Sequence, residues 1–131
     1  MDEELMRRYP SVAYLEKRAE RRIPHYAWEY LASGTTLDES VRRNRAAMNE
    51  VRFVPRFMQG ALEPDLRTEL FGVQYDAPFG VAPVGLTGLM WPQAEQILAR
   101  AAARHRIPYG LSTVATEAPE TIGPLAQGMG W

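Results

Sequence analysis

The chain has 131 residues, of which 46% are hydrophobic and 24% charged, a composition typical of a folded globular protein. Its 16 acidic and 15 basic side chains nearly cancel, which excludes the strong positive field that attracts nucleic acid or an acidic membrane surface. Because the sequence contains no cysteine, it excludes disulfides, thiolate metal sites and a cysteine nucleophile, and it favours a reduced compartment such as the cytosol.

Two short helices are the first predicted elements. Ser11 stands where an N-cap side chain satisfies a free amide, ahead of an amphipathic stretch over Val12–Arg22. Pro24 suits the first turn of a second helix, in which apolar residues recur at helical spacing. Gly34 predicts a left-handed end for that helix.

A third helix and a β-hairpin follow. Thr36 with Glu39 three residues later resembles a capping box, which predicts a helix through roughly Glu50. The segments Leu66–Leu70 and Val73–Tyr75 are separated by two residues, Phe-Gly, and together they predict a small antiparallel hairpin.

The remaining pattern predicts a strand, a helix and a second strand, over Phe79–Ala82, Pro92–Arg106 and Pro108–Ser112. A last helix is expected to begin at Ala118 and Pro119 and to run through Ile122 and Leu125, and Gly128–Trp131 is expected to turn toward whatever follows. The residues expected to face inward from the longer helix are Ile97, Leu98, Ala101 and Ala102.

The uncharged stretch Ala77–Ala94 is interrupted by prolines and glycines, so we interpret it as buried strand and loop rather than a membrane span. The sequence also begins without the cationic start and apolar run of a secretory signal, so export is not expected. Strand–helix–strand connections place their strands parallel, under covering helices. A doubly wound sheet and a (β/α)8 barrel both begin in this way, and the pattern alone does not choose between them.

Several motifs, taken in order, resemble one family. They are YLASG at Tyr30–Gly34, FVPR at Phe53–Arg56, LFGVQYDAPFGVAPVGLTGLMW at Leu70–Trp91 and LSTVAT at Leu111–Thr116. Their order and spacing are similar to those of the FMN-dependent 2-hydroxy-acid dehydrogenase and oxidase family, whose members include glycolate oxidase, lactate dehydrogenases and mandelate dehydrogenase.

The resemblance implies an α/β fold, the N-terminal part of an FMN-binding (β/α)8 TIM barrel. In that comparison residues 1–65 form a helical cap and linker, residues 66–76 a hairpin at the bottom of the barrel, and residues 77–131 the first two β/α units. The chain is therefore expected to be one incomplete FMN hydroxy-acid dehydrogenase domain.

The resemblance also implies cofactor-binding residues. Ala82, Pro83, Val84 and Gly85 match the family segment whose backbone lies against the flavin ring, where glycine permits close approach and proline fixes the turn. The family often has threonine at Val84, so a hydroxyl contact from that position is lost here. Ser112 matches a serine that hydrogen-bonds the flavin, since a hydroxyl both donates and accepts.

Tyr30 matches the tyrosine whose hydroxyl helps to hold the substrate carboxylate. Val114 stands where glycolate oxidase has tryptophan, which suggests room for a different or bulkier substrate. The two histidines, His25 and His105, do not match the family's catalytic base, and helix-end or surface roles are expected for both. No catalytic residue and no metal ligand is expected within residues 1–131.

The implied activity is oxidation of an L-2-hydroxy acid, similar to lactate, glycolate or mandelate, to the 2-oxo acid. Electrons would pass through FMN to oxygen, a quinone or a cytochrome. The complete enzyme is expected to be a homo-oligomer in the cytoplasm or, with a quinone acceptor, at the periphery of the inner membrane, with no nucleic-acid partner.

The chain alone is expected to be inactive and to bind FMN weakly or not at all. The alternative is a non-catalytic truncated product, or an interaction module built on a partial barrel. A Rossmann or P-loop nucleotide binder is disfavoured because the loop APVGLTGLMWP lacks the required glycine spacing and lysine.

Overall fold

A computed structural model describes residues 3–58, 60–61 and 63–131. The chain divides after residue 61 into two compact units. No helix of the described chain has the length and apolar character needed to cross a lipid bilayer.

The first unit is helical. Its helices are α1 (Glu3–Arg8), α2 (Val12–Glu20), α3 (His25–Ala32) and α4 (Glu39–Glu50). The last three were predicted from the sequence. The first was not, because its six residues are too few to show a period; acidic side chains in its first turn and basic ones in its last complement the helix dipole.

Two predicted helix boundaries in this unit are wrong in detail. Pro24 is the N-cap residue of α3 rather than part of its first turn, and α3 ends at an extended Ser33, so Gly34 is not a left-handed stop. Gly34 is instead required by close packing, since a Cβ there would lie 2.6 Å from Cγ2 of Val41. Its amide donates a 2.7 Å hydrogen bond to Oδ1 of Asp38.

The predicted capping box at Thr36 is also wrong. Residues 35–38 form a turn in which the Asp38 amide donates to the Thr35 carbonyl over 3.2 Å, and Asp38 becomes the N-cap residue of α4. The Thr36 hydroxyl donates to the Thr35 carbonyl over 2.7 Å instead of capping the helix. Local side-chain hydrogen bonding has therefore replaced the reciprocal cap.

The second unit opens with the predicted hairpin, formed by β1 (Thr68–Leu70) and β2 (Val73–Tyr75). The strands are antiparallel, with Leu70 opposite Val73. Phe71 and Gly72 at the turn have φ of 52° and 79°, and two consecutive positive φ values are typical of the type I′ turns that join twisted strands.

Three helices complete the second unit: α5 (Thr87–Met90), α6 (Ala94–His105) and α7 (Pro119–Ala126). The described chain thus forms a partial α/β structure with one two-stranded sheet. Its core joins α6 and α7 through the buried residues Ala99, Ala102, Tyr109, Ile122 and Ala126.

The inward face of α6 differs partly from the prediction. Ala102 is buried and Leu98 packs against the core, as expected, but Ile97 and Ala101 are exposed. The buried positions are Glu95, Ala99 and Ala102, spaced by four and three residues, so the core-facing stripe is rotated from the predicted one.

The two predicted strands of the strand–helix–strand unit are reduced to single parallel pairings. Val81 pairs with Tyr109, and Tyr109 pairs in turn with Gly130. The residues after α7, predicted only to form a turn, therefore place a third extended segment, around Gly130, beside the one around Tyr109.

Candidate functional site

Two loops begin where the paired segments end. The Gly110 amide donates to the Val81 carbonyl over 2.8 Å, so residues 82–85 and Ser112 leave the same edge of adjacent parallel segments. Farther out, the Leu86 amide donates to the Val114 carbonyl over 3.0 Å. The structure therefore brings together the two segments that the sequence singled out.

The first loop, which begins at Ala82, packs directly against the extended segment around Tyr109 and Gly110. A Cβ at Gly110 would lie 2.8 Å from Cδ and 3.1 Å from the nitrogen of Pro83, so only glycine permits this approach. Ala82, Pro83 and Val84 are exposed and Gly85 is half-buried. The loop thus presents an uncharged surface of backbone and small side chains.

Ser112 is half-buried at the start of the second loop. Its Oγ accepts a 3.2 Å hydrogen bond from the Val114 amide, and its carbonyl accepts a 3.1 Å bond from the Ala115 amide. The hydrogen bond from the Val114 amide orients the hydroxyl oxygen of Ser112. It leaves the hydroxyl hydrogen to donate to another acceptor.

A buried carboxylate joins the two loops. Oε1 of Glu95, in the first turn of α6, accepts hydrogen bonds from the Gly88 amide (3.1 Å), the Thr116 amide (3.0 Å) and the Thr116 hydroxyl (2.9 Å). Gly88 lies in α5, which directly follows the first loop (residues 82–86), and Thr116 lies at the end of the second loop (residues 112–116). We call these three residues, Glu95, Gly88 and Thr116, the carboxylate bridge.

The carboxylate bridge holds a charge in an unusual place, since Glu95 is only 1% exposed. Burial by itself raises the pKa of this carboxyl group, but hydrogen bonds outweigh it and lower the pKa to about 2; they come from the Thr116 amide and hydroxyl, the amide of Glu95 itself and the Thr87 side chain. The buried Tyr109 responds to the same charge: burial raises the pKa of its phenol, and the negative charge of Glu95 raises it further.

The two carboxylate oxygens of Glu95 differ in their hydrogen bonding. Oε2 of Glu95 is buried and accepts no hydrogen bond from the residues that the structure describes. The hydrogen bonds from Gly88 and Thr116 therefore all reach a single carboxylate oxygen, Oε1.

The remaining residues that the sequence singled out belong to helices α3 and α6. Tyr30 is in α3 of the first unit and is 52% exposed. His25 begins α3, with Nδ1 3.7 Å from Oε1 of Glu29, and His105 is exposed at the end of α6. Among the described residues, no group of three or more His, Cys, Asp or Glu side chains is placed to hold a metal ion.

Sequence reasoning missed the carboxylate bridge. The available signal was Glu95 itself, a charged residue that shares the buried stripe of α6 with Ala99 and Ala102. Charged residues are seldom fully buried without hydrogen-bonding partners, so a glutamate on a core face indicates an internal acceptor.

Comparison with known proteins agrees with the motifs. The family model for FMN-dependent dehydrogenases matches residues 19–131. An L-lactate dehydrogenase of Ectopseudomonas mendocina is 37% identical over 113 residues, which are 86% of this chain and 30% of that protein. An (S)-mandelate dehydrogenase of Pseudomonas putida is 30% identical over 115 residues, 88% of this chain and 29% of that protein.

Solved structures give the same result. A mandelate oxidase structure with 3,3-difluoro-2-hydroxy-3-phenylpropionic acid has a TM-score of 0.86 at 31% identity, covering 94% of this chain and 37% of that one. A mutant of the active chimera of (S)-mandelate dehydrogenase has a TM-score of 0.81 at 30% identity, covering 88% and 33%. The chain thus spans about a third of these solved relatives, and because the family model matches nearly all of it, the chain belongs to the FMN-dependent dehydrogenase family.

Proposed function

We propose that this chain is the N-terminal portion of an FMN-dependent oxidoreductase that converts an L-2-hydroxy acid to the 2-oxo acid, built on a (β/α)8 barrel. The observation that carries the proposal is the pair of loops, residues 82–86 and 112–116, which meet at one edge of parallel segments. In (β/α)8 barrels, active sites lie at the carboxyl ends of the strands.

The residues present fit a flat cofactor ring. Residues 82–84 offer an exposed, uncharged backbone surface, which a planar ring can approach closely. Ser112 offers a hydroxyl whose oxygen is oriented by the Val114 amide and whose hydrogen can donate to a ring heteroatom. Ala82, Pro83, Val84, Gly85 and Ser112 are accordingly proposed to hold FMN.

FMN, when bound, would accept the two electrons that leave the hydroxy acid. The protein's part here is to orient the ring through the first loop and Ser112. Tyr30 is proposed to hold the substrate carboxylate, since a phenol is a neutral donor to an anion. Val114 is exposed and small, so it leaves space beside the second loop for a lactate-, glycolate- or mandelate-like side chain.

The base that removes the substrate proton is proposed to come from outside these 131 residues. Neither His25 nor His105 lies in the two loops, and both are exposed at helix ends. Oxygen, a quinone or a cytochrome would receive the electrons, and the complete enzyme is proposed to assemble as a homo-oligomer.

The test compares the 131-residue chain with the full reading frame that contains it. The full protein should purify with a flavin absorbance band and reduce a dye with a 2-hydroxy acid as donor, whereas the chain alone should show neither. Stoichiometric flavin or turnover in the chain alone would contradict the division of roles. A full protein that neither binds FMN nor oxidises any 2-hydroxy acid would overturn the proposed function.

A further inference from the structure

We infer that Glu95 is a positioning residue, which fixes the two proposed flavin-facing loops relative to each other through the carboxylate bridge. This inference rests on the proposed function and adds to it a residue that neither contacts the proposed FMN surface nor takes part in the chemistry. Its carboxylate oxygen Oε1 is the common acceptor for the Gly88 and Thr116 amides, which lie 7 and 21 residues from it in sequence.

The bridge is close and geometrically specific. A Cβ at Gly88 would lie 2.0 Å from Oγ1 of Thr116 and 3.1 Å from Oε2 of Glu95. The two loops therefore approach each other so tightly that only glycine fits between them. The backbone hydrogen bond from the Leu86 amide to the Val114 carbonyl connects the same loops at a second point. Two points of contact fix the relative orientation of the loops, whereas a single one would let them rotate.

A glutamate serves this purpose better than an apolar residue of similar size. The two amides and the Thr116 hydroxyl converge on one point, Oε1 of Glu95, and an apolar side chain there would leave these donors without their common acceptor. Because these donors belong to the second loop and to the helix that follows the first loop, losing the acceptor releases the loops while the core of α6 and α7 keeps its apolar contacts. Loop position, and not only stability, should therefore depend on Glu95.

The experiment uses the full reading frame as purified holoprotein, stripped of FMN and titrated with FMN itself at a temperature where circular dichroism shows every variant folded. Four proteins are compared: wild type, Glu95→Ala, Glu95→Gln and Ile122→Ala. Ile122 is 2% exposed in the core of the same unit and lies outside both loops, so its truncation controls for general destabilisation.

Positioning predicts that Kd for FMN does not follow Tm. Glu95→Ala should weaken FMN binding at least tenfold, whereas Glu95→Gln should stay within about threefold of wild type because its amide oxygen still accepts from both loops. Ile122→Ala should lower Tm by several degrees and leave Kd within twofold. If Glu95→Ala does not fold, Thr116→Val replaces it, since this change removes one donor to the bridge and keeps the shape; it should weaken FMN binding about threefold.

The outcomes separate the two claims. A wild-type protein that does not bind FMN refutes the proposed function. A wild type that binds FMN, with Glu95→Ala or Thr116→Val unchanged in Kd, overturns the positioning role. A Kd that rises in proportion to the loss of Tm in Ile122→Ala as well overturns it too, because that result is what a purely structural glutamate gives.

Discussion

At the scale of single residues, Glu95 is a carboxylate buried in the second unit and hydrogen-bonded there. A carboxylate that is 1% exposed is tolerated because three hydrogen-bond donors converge on one of its oxygens. Deprotonation is favoured by those donors and opposed by burial, and the donors prevail. Because the pKa of Glu95 is lowered by folding, its contribution to stability can be tested by varying the pH.

The stability contributed by Glu95 should depend on pH. Its folded pKa of about 2 lies below its ordinary value of 4.5, so its contribution is present above about pH 4.5 and is lost as the pH falls toward 2. The full shift corresponds to a free energy of unfolding on the order of 3 kcal/mol. Urea unfolding of wild type and Glu95→Gln between pH 6 and pH 2.5 should show the wild-type advantage shrinking with acid.

The matched control is Ile122→Ala, which removes apolar contacts and no titrating group. Its difference from wild type should stay nearly constant over the same range. A Glu95→Gln difference that is equally constant would show that the carboxyl group does not change its proton affinity on folding.

Gly88 should tolerate no side chain. In Gly88→Ala, the new methyl group would lie 2.0 Å from Oγ1 and 3.0 Å from Cβ of Thr116, so we expect a loss of about 1–3 kcal/mol in the free energy of unfolding. The control is Gly123→Ala inside α7, where no atom lies within 4 Å of the new Cβ apart from the chain neighbours and the helix backbone; its effect should stay within roughly 0.5 kcal/mol, because the higher helix propensity of alanine is offset by contact of its Cβ with the ring of the following Pro124. Equal stability of Gly88→Ala and wild type in thermal unfolding would contradict the packing described.

At the scale of elements, the hairpin and helices α2, α3, α4, α6 and α7 were predictable because each has a clear period or punctuation. The boundaries were less so. Gly34 and Thr36 carry ordinary helix-end signals, yet the turn at residues 35–38 and the close contact of Gly34 with Val41 redirect both. The two loops were found through family motifs. The carboxylate bridge depends on a contact across 21 residues, and the sequence signals only one of its partners, the glutamate on the buried face of α6.

The hairpin turn offers an element-scale prediction. Gly72 has φ of 79°, and no atom lies within 4 Å of the position that a Cβ would take there, so substitution costs only backbone conformation. Gly72→Ala should lose about 1 kcal/mol of unfolding free energy, and Gly72→Asn about half of that, because asparagine tolerates the left-handed region. Chemical unfolding measures both; Ala as stable as Asn, or either as stable as Gly, would contradict the turn geometry.

Neighbouring contacts explain why this turn matters to the rest of its unit. The ring of Phe71 meets that of Trp131 edge-on at 4.8 Å, and Nε1 of Trp131 donates to the Tyr75 hydroxyl over 2.8 Å. The hairpin therefore packs against the third extended segment. A substitution that weakens the turn should therefore loosen both the hairpin and the extended segment around Gly130.

At the scale of the whole molecule, the described chain has extended segments with little strand pairing and large apolar side chains that are exposed. The three parallel segments at Val81, Tyr109 and Gly130 pair in single steps only, and such edges are prone to pair with other chains. Within the first unit, residues 51–58 lack helix and strand, and Phe53 and Phe57 are 97% and 79% exposed.

These features predict that the 131-residue chain self-associates when it is expressed alone. Exposed apolar surface on this scale favours association, since water is released when it is covered. Sedimentation at micromolar concentration should show oligomers or aggregates for the wild-type chain and a smaller associated fraction for the Phe53→Ser, Phe57→Ser double variant. Leu37→Ser, which removes a single side chain that is 76% exposed, is the control and should change association less. A wild-type chain that sediments as a monomer and unfolds in one sharp cooperative transition would contradict this prediction and would favour a self-sufficient interaction module over part of a larger barrel, because a module must cover its own edges.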